Sequence, residues 1–158
     1  VFGTLRKGFC NHDLISTLSS YSFVGYGVTE KRFKMISFGG FPGIVKFNVD
    51  KWPKDRFNRI RLRSVFAPIE GEVYRVPFNE CILNATDHLE GHPDFFKREV
   101  QQIKLHSSDE VIDSYIYVLN NAGGYYDNLQ TCPPIQLNLE EGTFDWCDYV
   151  IYPQKQSI

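Results

Sequence analysis

Strand patterns dominate this sequence, and helical spacing is confined to two short stretches. Residues 22–28 and 33–38 are rich in Phe, Val, Tyr and Ile, and "IVKFNV" at 44–49 alternates apolar with polar residues. "IEGEVYRV" at 69–76, "KREVQQIKL" at 97–105 and "SYIYVL" at 114–119 extend the series. Short runs of this kind, bounded by turn residues, read as strands. "FGGFPG" at 38–43 is turn chemistry, because glycine supplies positive φ and Pro42 removes a donor. The first helical stretch follows Asn11, a candidate cap, with Leu14, Ile15 and Leu18 at helical spacing. The second follows Asn79 and carries Ile82, Leu83, Thr86 and Leu89 on its apolar face, with Gly91 and Pro93 ending it. Helices do not alternate with strands, which disfavours a doubly wound parallel sheet. The order implies an α+β domain with a curved, mostly antiparallel or mixed sheet.

The chain has 158 residues, enough for one core, so residues 1–158 are expected to form a single domain. Its 42% apolar content excludes a disordered chain. Residues 50–64 are polar, basic and irregular and read as a loop insertion. Within them "KWPKDRFNRIRLR" at 51–63 sets six basic residues against one acid, with Trp52 and Phe57 between. That mixture could meet phosphates and stack on bases, but a solvated loop balanced by acids elsewhere is the simpler reading. The net charge of −2 gives no general attraction to nucleic acid or to an anionic membrane.

No stretch approaches the ~20 apolar residues that a membrane span needs, and the start lacks the apolar run of a signal peptide. The first residue is Val, so a fragment or trimmed chain is expected, with Val1 and Phe2 closing a strand that begins earlier. Cys10, Cys81, Cys132 and Cys147 are scattered, with no Cys-x-x-Cys pair. That usage fits buried thiols in a reducing, cytoplasmic compartment.

Three groups of residues could carry chemistry. In "VFGTLRKGFCNH" a strand end runs into Gly3-Thr4-Leu5, then Arg6 and Lys7, ahead of a helix. Successive unpaired amides in such a turn can cradle a carboxylate or a developing oxyanion, although an ordinary strand-to-helix turn has the same residues. In "TDHLEGHP" at 86–93, Asp87 and Glu90 stand three apart at a helix end and can share a face. A carboxylate there, enclosed by Leu89, Phe95 and Phe96, would have a raised pKa and could serve as a general acid and base. His88 and His92 are also four apart, but Gly91 and Pro93 disrupt the helix between and beyond them, so no metal site is expected. His12 is expected at the surface and His106 beside a loop.

Taken together, these motifs resemble the gamma-glutamyl cyclotransferase-like superfamily, closest to its gamma-glutamylamine cyclotransferase branch. The resemblance rests on Phe2-Gly3-Thr4-Leu5, Arg6-Lys7-Gly8 and Asn11-His12, on Gly71-Glu72-Val73-Tyr74, and on Thr86-Asp87-His88-Leu89-Glu90-Gly91-His92-Pro93. Phe96, Arg98 and the closing Asp145-Trp146 extend it in the same order. It implies a small mixed barrel-like sheet with flanking helices. It also implies a reaction without a cofactor, in which the α-amine of a gamma-glutamyl group attacks its own side-chain carbonyl, closes 5-oxoproline and expels an amine. Glu90 matches the catalytic Glu of the family, and Gly3, Thr4 and Leu5 match the loop that holds the glutamyl moiety. Phe2 and Phe96 stand in the substrate pocket where the family and its branch commonly have Tyr, so two phenolic hydroxyls are missing. The implied partner is a small molecule with a gamma-glutamyl group. A second reading is a non-catalytic small-molecule binding module on the same scaffold, with a nucleotide-like or phosphorylated ligand drawn by the 51–63 segment.

Overall fold

The computed structural model describes residues 1–18, 20–46, 66–77, 80–120 and 141–146. Residues 47–65 fall outside these, and with them the expected insertion at 50–64; so do Asn79, Cys132 and Cys147. The described elements are α1 (Asp13–Ser16), β1 (Ser22–Thr29), β2 (Phe33–Ser37), β3 (Pro42–Lys46), β4 (Glu70–Arg75), α2 (Glu80–Glu90), β5 (Phe96–Leu105) and β6 (Val111–Leu119).

Four strands form a curled antiparallel sheet in the order β4-β1-β5-β6, and β2 and β3 form a separate antiparallel hairpin. An isolated bridge from Phe33 to Ala67 joins the hairpin to the segment leading into β4. Each named pair is antiparallel, and the parallel contact is the isolated bridge between Ile69 and Phe144. A bulge in β1 between Phe23 and Gly25 adds to the local twist.

The hairpin explains why the core holds together. Side chains alternate across a strand, so Phe33, Met35 and Ile44 face one way while Ile36 and Val45 face the other. The first set packs with Val73, Ile103, Leu105, Ile116, Val118, Phe144 and Trp146 in the main core. The second packs with Phe96 and Leu119 in a smaller cluster. The hairpin is therefore buried on both faces, and a one-residue register slip would exchange its two apolar sets.

Several expectations are corrected. Asn11 does not cap α1: His12 occupies that position, and Asn11 is bonded to Thr4 instead. The helix is one turn long, so Leu14 lies in it but Leu18 does not. Pro42 and Gly43 belong to β3 rather than to the turn before it, and β6 begins three residues earlier than its apolar run. Cys10 and Cys81, expected to be buried, are exposed. Leu89, expected on the apolar face of α2, is also exposed.

Trp146 is the bulkiest fully buried side chain among the described residues. Trp146→Ala should lower the unfolding free energy by about 3–5 kcal/mol through lost burial and an unfilled cavity. Guanidinium unfolding of the two proteins measures this.

Candidate active site

The N-terminal loop is shaped by its carbonyls. Gly3 O accepts from the Arg6 amide at 3.0 Å and Thr4 O from the Asn11 amide at 3.1 Å. Leu5 O lies 3.0 Å from His12 Nδ1, so that ring nitrogen carries the proton and donates. The Asn11 side chain also donates to Thr4 Oγ1 at 2.9 Å. His12 is half-buried rather than a surface residue because of this bond. With three consecutive carbonyls turned into the protein, the amides of Gly3, Thr4 and Leu5 have no acceptor among the described residues. These same three residues line a cavity of about 620 Å³.

Glu72 fixes the loop from the other side. Its carboxylate is buried and accepts from the Lys7 amide and from Tyr74 Oη, both at 2.8 Å. Arg6, also buried, lies beside it with Nε 3.9 Å from Oε1 and donates through Nη1 to Asp145 at 2.6 Å. Burial, followed by the bond to Glu72, raises the Tyr74 pKa and keeps the phenol a donor. Gly71 is required because a Cβ there would meet Val1 O at 2.5 Å. Val1 pairs with Glu72 through both backbone groups in the manner of a strand.

Glu90 enters the same cavity from α2. It closes the helix in a Schellman arrangement: the Gly91 amide bonds His88 O, the His92 amide bonds Asp87 O, and Gly91 adopts φ 63°. Burial pushes the Glu90 carboxyl up to about 7. The negative end of the helix dipole acts in the same direction as burial.

Asp87 does not join Glu90 as a second free carboxylate. It accepts from Arg98 Nη1 at 2.8 and 2.9 Å and from Tyr117 Oη at 2.6 Å. The His92 ring is engaged as well, with Nδ1 accepting the Arg98 amide at 3.1 Å, while His88 is exposed. His106 bonds the buried Glu70 carboxylate at 2.9 Å. Phe2 and Phe96 both line the cavity, but Phe96 is also core, only 3% exposed and packed against Ile36, Val45 and Leu119. The structure thus brings Gly3, Thr4, Leu5, Phe2, Phe96 and Glu90 to one cavity. Sequence reasoning missed the parts played by Glu72, Arg6, Asp145 and Tyr117. The motif Gly71-Glu72-Val73-Tyr74 held the signal for Glu72, since an acid amid apolar strand residues needs a partner.

Residues 1–142 match the family described as gamma-glutamyl cyclotransferase, AIG2-like. The chain belongs to this family. It is 32% identical over 134 residues to "Putative gamma-glutamylcyclotransferase MJ1514" of Methanocaldococcus jannaschii, covering 80% of this chain and 93% of that protein. It is 31% identical over 123 residues to "Putative gamma-glutamylcyclotransferase CG2811" of Drosophila melanogaster, covering 77% of this chain and 68% of that one. The fold is shared with a mouse AIG2-like protein, whose crystal structure superposes with a TM-score of 0.59 at 20% identity, over 85% of this chain and 82% of that one. An uncharacterised protein of Pyrococcus horikoshii gives a TM-score of 0.53 at 14% identity, over 100% and 96% of the two chains. Within the AIG2-like fold of this chain, the loop and the helix end line the same cavity. No helix among the described residues is long and apolar enough to cross a membrane.

The raised Glu90 pKa has a consequence for stability. Below the ordinary carboxylate range both folded and unfolded states hold this proton. Between that range and about 7 the folded state alone holds it, so stability falls as pH rises through the interval. Glu90→Gln removes the penalty. The variant should match wild type near about pH 4 and exceed it by on the order of 2–3 kcal/mol at about pH 8. Denaturant unfolding at the two pH values reads the difference.

Proposed function

We propose that this protein is a gamma-glutamyl cyclotransferase that closes a gamma-glutamyl amine to 5-oxoproline and releases the amine. The observation that carries the reading is the convergence on one cavity of Glu90 with Gly3, Thr4 and Leu5, whose amides have no acceptor among the described residues. The family membership supports the reaction class.

Ring closure is intramolecular, so the protein's task is to fold the substrate and move protons. The loop amides hold the anionic part of the glutamyl moiety. Glu90, ionised, takes a proton from the substrate α-ammonium. The freed amine attacks the side-chain carbonyl carbon, and the carbonyl oxygen takes up negative charge. As that charge collapses back, the bond to the leaving nitrogen breaks and Glu90 returns the proton to it. The ring nitrogen, which still carries two hydrogens after attack, gives its second proton to the released amine, which departs as an ammonium. Substrate atoms are conserved between 5-oxoproline and the amine, and no water or cofactor is consumed. A carboxyl poised at about 7 suits both transfers near neutral pH. A cytoplasmic setting belongs to the same reading, supported by the exposed thiols of Cys10 and Cys81.

One observation favours the second reading, a binding module without turnover. Phe2 and Phe96 bring no hydroxyl to the cavity, and the hydroxyls of Tyr74 and Tyr117 are committed to Glu72 and Asp87.

Glu90→Gln keeps the shape of the side chain but cannot exchange a proton. Turnover of a gamma-glutamyl amine should fall by about 10²–10⁴-fold, with binding of the glutamyl moiety little changed. In wild type, kcat/KM should rise with pH through about 7 as Glu90 ionises. Full turnover in the variant would exclude Glu90 as the proton carrier. Absence of wild-type turnover across a panel of gamma-glutamyl amines and dipeptides, with 5-oxoproline assayed directly and binding retained, would establish the second reading.

A further inference from the structure

Helix α2 carries Glu90, yet burial does not anchor it. None of residues 81–90 is fully buried, and the half-buried Ile82, Leu83, Thr86 and Glu90 line the open cavity rather than the core. A carboxylate that must stay within a fraction of an ångström of the reacting nitrogen needs another restraint.

That restraint is visible one turn back. Arg98 of β5 and Tyr117 of β6 are direct cross-strand partners, so their side chains leave the sheet on the same face. Both reach Asp87: Arg98 Nη1 lies 2.8 and 2.9 Å from its two oxygens, and Tyr117 Oη lies 2.6 Å from Oδ1. Tyr117 Oη is also 3.0 Å from Thr86 Oγ1. The guanidinium of Arg98 sits 5.2 Å from the centre of the Tyr115 ring, which steadies it from a second side. The turn after the helix is tied to the same strand by the Arg98 amide on His92 Nδ1. Asp87 is three residues before Glu90, about 4.5 Å along the helix axis. It is not among the cavity-lining residues, although Arg98 and Tyr117 are.

We propose that Asp87, gripped by Arg98 and Tyr117, is a positioning residue that holds the last turn of α2 against the sheet and so fixes the Glu90 carboxylate over the substrate. The inference rests on the reading of Glu90 as the proton carrier. The clamp acts on the turn that bears Glu90 and leaves the Gly3–Leu5 cradle alone. Its loss therefore weakens proton transfer and spares the grip on the glutamyl moiety.

The test uses Asp87→Ala, Asp87→Asn and Tyr117→Phe, the last removing a single oxygen so that a folded variant is available. For Asp87→Ala, kcat for a gamma-glutamyl amine should fall about 10²-fold with KM within about twofold of wild type, as expected for a displaced catalytic group. Asp87→Asn, which can still accept from Tyr117, should recover part of the loss. Tyr117→Phe should lose about tenfold in kcat, the scale of one strong hydrogen bond. Hydrogen exchange supplies a readout independent of turnover: amides at residues 87–91 should exchange about tenfold faster in Tyr117→Phe while β1 and β5 stay protected. Unchanged exchange there, or a matching increase across β1 and β5, overturns the clamp. An unchanged kcat, or a KM that rises in step with the fall in kcat, also overturns it. If wild type itself shows no turnover, the cyclotransferase reading falls, and local exchange at 87–91 alone decides whether the clamp holds α2.

Discussion

The buried carboxylate of Glu72 is the interaction on which the rest of the site depends. A charge at 5% exposure must be matched or it would not remain a charge. Here the match comes from the Lys7 amide, the Tyr74 hydroxyl and the neighbouring Arg6 guanidinium, which Asp145 also holds. Arg6 and Lys7 come from the first loop, Tyr74 from β4 itself, and Asp145, which holds Arg6, from the closing segment. Satisfying one acid therefore joins the first loop, the edge strand β4 and the closing segment around Trp146. The loop takes its shape with its carbonyls bonded to Arg6, Asn11 and His12, while its amides have no acceptor among the described residues.

The two halves of the site are supported by different physics. The cradle is backbone, stabilised by a buried ionic network and by Asn11 and His12 at its far end. The carboxylate is a side chain at the end of a helix without a buried face, held by a cap and by bonds from two strands. Such a division lets the apolar wall between them vary in shape without disturbing either. That wall includes the apolar side chains of Val76, Ile82, Leu83 and Phe41.

Local signals made part of this legible in the sequence. Runs rich in β-branched and aromatic residues placed β1, β2 and β4 to within a residue or so, because such runs are a local signal. Gly91 marked the helix end and hence the position of Glu90, since a left-handed cap is a local requirement. Asn11 was misread because its local pattern is that of a helix cap, whereas the bond it makes to Thr4 reaches back across a turn. Leu89 was expected inside from helical spacing and Cys10 from residue type, yet both line the open cavity and are exposed. The partnerships of Glu72 with Lys7, Asp87 with Arg98 and Arg6 with Asp145 span 65, 11 and 139 residues of chain. Nothing local in the sequence encodes which distant groups will meet.

The Schellman cap on α2 makes spacing as binding a constraint as identity. Asp87, Glu90 and Gly91 must keep their intervals for the clamp, the carboxylate and the left-handed turn to coincide. One residue inserted or removed among them would swing Glu90 by about 100° around the helix and slide it by about 1.5 Å, although every residue type would still be present. Upstream, a turn gained or lost before Ile82 would leave that geometry intact. Length variation in this protein is therefore tolerable at the start of α2 and ruinous in its last turn.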